Sequence, residues 1–87
     1  MISLIKLPNI GVSVEEKLLR CKIKTPKQLK KLGSKKALEK IARLGRENIS
    51  LTLLYALEGA IQNIRWHYLS EEVKQELKEF YVTKFKS

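Results

Sequence analysis

The chain has 87 residues, 44% of them hydrophobic and 31% charged, a globular composition and enough length for one domain spanning 1–87. It carries a formal net charge of +9, one histidine, one cysteine and no aspartate. That inventory excludes an internal disulfide, a zinc site and most catalytic constellations; no metal and no cofactor are expected, and the chain reads as a non-enzyme.

The opening residues, around Ile2–Lys6, read as a short turn or helix. The segment Pro8-Asn9-Ile10-Gly11 is a turn signal, and Ser13-Val14-Glu15-Glu16 has the spacing of a capping box that starts a helix running to about Lys22. Val14, Leu18 and Cys21 fall on its inward face, which makes Cys21 a buried structural thiol rather than a nucleophile. Thr25-Pro26-Lys27-Gln28 is a second capping box, with proline at the favoured first helical position. Leu29 and Leu32 point to the core, and Gly33 ends that helix. Ser34 is expected to cap a third helix whose Ala37, Leu38, Ile41 and Leu44 pack inward, with Lys36, Lys40 and Arg43 as a basic stripe outside.

From about Ile49 to Ile64 the sequence is apolar on more than one face, as in a central buried helix. Its longest unbroken apolar run, Leu53 to Leu57, is five residues, far short of the ~20 a membrane span needs. Gly59 is tolerable there if a neighbouring helix approaches closely. Glu58, in the same apolar context, needs a partner, for which Arg65 or a lysine is a candidate. Trp66 is expected to close the core after this helix, leaving His67 exposed or locally satisfied. Ser70 starts the last helix, with Glu71 and Glu72 in its first turn and Val73, Leu77, Phe80 and Tyr81 as its apolar stripe. The expected architecture is therefore all-α: a compact bundle of about five short helices around a central one. A residual patch of Phe80, Val82 and Phe85 suits a monomer or a weak homodimer. With no secretory signal and a single cysteine, the expected setting is cytoplasmic.

Charge is polarised along the chain. Residues 1–46 hold 13 Lys/Arg against 3 Glu, and residues 47–87 hold 5 against 6. Lys17 to Arg46 contains 12 basic residues and Glu39 as its one acid. Such asymmetry makes one side of a small domain positive, and phosphate backbones are common partners of that kind of surface. Alternatively, the lysines are only a solvated, solubilising face.

Leu7-Pro8-Asn9-Ile10-Gly11-Val12-Ser13 resembles the hairpin of helix-hairpin-helix DNA-binding motifs, with Asn9 where the motif usually has glycine. Pro8 and Gly11 shape the turn, Ile10 plugs into the core, and the amides of the next helix start face outward, where a phosphate can bind. More widely, LPNIG, the Ile23–Leu29 stretch, Leu32-Gly33, LYALEGAI at Leu54–Ile61 and Arg65-Trp66-His67-Tyr68-Leu69 resemble the TfoX C-terminal domain family, from about Leu4 to Tyr81. The resemblance implies a compact helical domain with a helix-hairpin-helix-like element. It also implies kinship with bacterial regulators of natural DNA uptake, in which the domain follows a separate N-terminal one; here it is expected to stand alone. The expected nucleic-acid contacts are Asn9, Gly11, Val12, Ser13, Lys17, Arg20, Lys22, Lys24, Lys27, Lys36 and Lys40. They would bind DNA backbone with low sequence specificity, or else dock on an acidic protein partner.

Overall fold

A computed structural model describes residues 4–86. Its helices are α1 (Val12–Arg20), α2 (Pro26–Leu32), α3 (Ser34–Ala42), α4 (Leu51–Gln62) and α5 (Glu71–Tyr81). Short 3-10 turns cover Leu4–Lys6, Arg46–Asn48 and Trp66–Tyr68, and a π-turn, Val82–Lys86, continues α5. No strand forms among the described residues. Among the described residues, a 3-10 turn, Leu4–Lys6, precedes the Leu7–Gly11 segment; Ile2, part of the expected first element, lies outside the described residues.

The core follows the apolar spacing. α4 packs against α2, α3, α5 and the Trp66–Tyr68 turn, and its Leu54, Leu57 and Ala60 are wholly buried. Leu18 of α1, Leu29 of α2 and Leu38 and Ile41 of α3 meet it. Each fully buried leucine or isoleucine contributes about 1.5–3 kcal/mol of transfer free energy, so this cluster outweighs any surface ion pair. Leu44 departs from expectation: the chain has already left α3 at Ala42, and the side chain is 40% exposed. Phe80 and Phe85 turn back onto the core, in edge contact at 6.2 Å, leaving Val82 outside.

Three helix starts use side-chain caps: the amides of Gln28, Leu53 and Val73 donate to the hydroxyls of Thr25, Ser50 and Ser70. Gln28 reaches back past the cap residue and accepts from the Lys24 amide at 2.7 Å. Two expected caps do not form. α1 begins at Val12, so extended Gly11 takes the cap position without a side-chain bond and Ser13 lies inside the first turn. Gly33, with φ +91°, is the single residue joining α2 to α3, and Ser34 is already helical. The buried Ser34 hydroxyl donates instead to Glu58 Oε1 at 2.7 Å, and Gln62 donates to Glu58 Oε2 at 2.7 Å. Those two groups, not Arg65 or a lysine, are the partners of Glu58.

Two helices end alike, each with a non-glycine residue in left-handed backbone. After α1, Lys22 (φ 65°) donates to Leu19 O and Ile23 to Leu18 O. After α4, Asn63 (φ 61°) donates to Ala60 O and Ile64 to Gly59 O. Both are Schellman closures, in which the left-handed residue is normally glycine or asparagine.

Candidate nucleic-acid interface

The turn that leads into α1 is held from within. Asn9 adopts φ 68°, which asparagine tolerates better than other residues bearing a side chain. Its Nδ2 donates to Ile64 O at 2.9 Å and to Ala56 O at 3.4 Å, while its Oδ1 accepts from the Trp66 amide at 3.1 Å. One side chain thus ties residue 9 to the middle of α4 and to the turn beyond it. Gly59 makes room: a Cβ there would lie 2.6 Å from Asn9 Nδ2 and 2.8 Å from Ile64 O. The expected close approach at Gly59 is real, but the neighbour is a side chain and a loop rather than a helix. Asn9, expected among the nucleic-acid contacts, has its amide committed to the interior.

Gly11, Val12 and Ser13 are all exposed at the start of α1, where helix geometry leaves the first amides without intrahelical acceptors. Ile10 is buried beneath them. The cations do not all gather at this end. Arg20 and Lys22 lie at the other end of α1, about 10 Å further along the helix axis. There they meet Lys40 and Arg43 of the α3 end across a shallow groove of about 210 Å³, floored by Cys21 and edged by Leu44. No carboxylate lines this groove; Arg20 also pairs with Glu16 at 3.0 Å on the solvent side. Burial pushes the Cys21 thiol up from its ordinary value, and Lys40 partly offsets the rise. A raised thiol is a poor nucleophile at neutral pH.

The remaining expected cations are dispersed. Lys17 does not line that groove and donates to Asn48 O at 3.2 Å. Lys24 and Lys27 are exposed between α1 and α2 and in the first turn of α2. Lys36 borders a hollow that also holds Lys35, Glu58 and Glu76, so two acids offset the lysines there. Lys35 bonds Glu76 there at 2.7 Å, and Lys84 bonds Glu39 at 2.9 Å beside Arg43 and Arg46.

A second, larger groove of about 500 Å³ lies between α1 and the start of α4, with Lys17, Arg65, Trp66 and His67 on its walls. His67 is exposed, in line with the sequence expectation; what sequence reasoning missed is that Arg65 and His67 line one groove with Lys17, because the Arg-Trp-His-Tyr cluster reads equally well as a lid on the core. Among the described residues no three His, Cys, Asp or Glu side chains are placed to hold a metal ion, and no helix is long and apolar enough to cross a membrane.

The family model of the TfoX C-terminal domain matches residues 2–81. The chain belongs to that family. Within the TfoX C-terminal domain fold, a crystal structure of an uncharacterised Listeria monocytogenes protein, triclinic form, is similar at 46% identity. It matches with a TM-score of 0.92, over 94% of this chain and 92% of that one. A tetragonal crystal form of a Listeria monocytogenes protein of unknown function is 48% identical, with a TM-score of 0.87, over 92% of this chain and 96% of that one. No curated protein matches the chain.

Proposed function

We propose that this TfoX C-terminal domain is a non-catalytic module that binds the phosphate backbone of nucleic acid with little sequence preference. The contact surface is the cationic groove at the end of α1, and the exposed amides at Gly11–Ser13 offer a further contact along the same helix. The observation that carries the reading is the convergence of Arg20, Lys22, Lys40 and Arg43 on one groove with no acid in its lining. Four cations on one open surface attract polyanions and release condensed counterions when they bind. The family's link to DNA uptake gives the reading a regulatory context.

Duplex DNA binding measured over a salt series tests it. Four phosphate contacts give a log–log slope of about −3.6, and Lys22→Glu with Arg43→Glu should bring it to about −1.8 while weakening binding. Absence of duplex binding at low salt overturns the proposal. A second reading has its own observation: Leu44 edges the groove at 40% exposure, and Leu19 stands exposed on α1. Apolar groups beside cations suit an acidic amphipathic segment of a partner protein. Under that reading Leu44→Ser weakens the complex, and the partner stays bound after nuclease treatment.

A further inference from the structure

The larger groove combines features that the cationic one lacks. Trp66 is stacked on Tyr55 (centroids 5.7 Å apart, planes at 23°) and carries His67 on it at 4.0 Å and 25°. The result is a three-ring ladder that begins half-buried at Tyr55 and finishes at an exposed imidazole. Tyr68, the next residue, is 75% exposed. Cations surround this turn: Lys17 and Arg65 line the groove with His67, and Lys74 Nζ donates to His67 O at 3.3 Å. The one acid in the lining, Glu47, has its carboxylate folded back against Gly45 of its own turn. The groove's volume of about 500 Å³ falls within the range of small-molecule sites.

A π-face presented to solvent with basic side chains beside it is the arrangement that receives an unpaired base and its phosphate. A paired base inside a duplex cannot use it, because both of its faces are already stacked. The structure assigns this groove as a site for an unpaired nucleotide: the base continues the Tyr55–Trp66–His67 ladder, and the phosphate lies toward Lys17 and Arg65. The assignment extends the backbone-binding reading but stands on different residues, so the two can fail separately.

Trp66 is the sole tryptophan, so its emission reports the ladder directly. A short oligothymidylate should quench it, and a blunt duplex of equal length should bind without quenching. Thymidine monophosphate distinguishes the source. Quenching at far higher concentration than the oligomer assigns the site to a strand, and quenching at equal concentration assigns it to a free nucleotide. His67→Ala should weaken oligothymidylate binding by about tenfold and leave duplex affinity unchanged. Lys22→Glu with Arg43→Glu should do the reverse. The assignment is overturned if neither oligothymidylate nor the mononucleotide quenches Trp66, or if His67→Ala weakens single strand and duplex equally. Quenching by oligothymidylate in a protein that never binds duplex would sustain it and remove the cationic-groove reading instead.

Discussion

Asn9 and Lys22 stand at opposite ends of α1 in nearly the same left-handed backbone, φ 68° and 65°, and they use it in opposite ways. Asn9 turns its amide inward and closes three hydrogen bonds to residues 56–66. For it, the unusual backbone is part of how the fold is held. Lys22 makes the helix-ending bonds through its main chain, while its side chain stands on the wall of the cationic groove. Any residue that tolerates the conformation could supply those main-chain bonds, and glycine would supply them with less strain. The contrast separates a residue kept for folding from one whose return lies in surface charge.

Removing the inward member should have the largest effect. Asn9→Ala loses three hydrogen bonds, leaves part-buried groups without partners and retains the left-handed strain. It should destabilise the protein by about 3 kcal/mol, a fall of about 15 °C in Tm by calorimetry. A loss under about 1 kcal/mol would mean that the latch is incidental.

Gly59→Ala tests the same latch from the other side. Alanine is the better helix former by about 1 kcal/mol, yet its methyl would press on Asn9 Nδ2 and Ile64 O. A net loss of about 2 kcal/mol is expected. In the double variant with Asn9→Ala the two losses should sum to about 1 kcal/mol less than their separate values, since the contact they share is gone. Strict additivity in urea denaturation would show that the two residues do not act together.

Lys22→Gly is the smallest effect and has the opposite sign. Relief of left-handed strain should raise stability by about 1 kcal/mol, while duplex affinity falls with the lost charge. A variant that is no more stable, or that binds DNA as well as the parent, would dissolve the distinction between the two ends of α1.

Features governed by local spacing were legible in the sequence. The caps at Thr25 and Ser70, proline at the start of α2 and the apolar wrap of α4 depend on residues within a turn or two of one another. Ser13 and Ser34 have the same local spelling as true caps but lose the role to distant competitors. The Asn9 latch and buried Ile10 set the entry to α1 two residues early, and Glu58, 24 residues away, takes the Ser34 hydroxyl. The grooves were illegible for the same reason. That Arg20 and Lys22 would face Lys40 and Arg43, while Lys17 faced Arg65 and His67, depends on how α3 and α4 pack against α1. The +10 balance of residues 1–46 located the charge in the chain but not its division between two grooves.

The partners of Asn9 lie 47 to 57 positions along the chain, so the shape of the Leu7–Ser13 turn is written mostly outside it. Transplanting Leu7–Ser13 into another scaffold would carry the letters without the mould. A working graft would have to bring α4 from Ala56 onward, with the Ile64 carbonyl and the Trp66 amide.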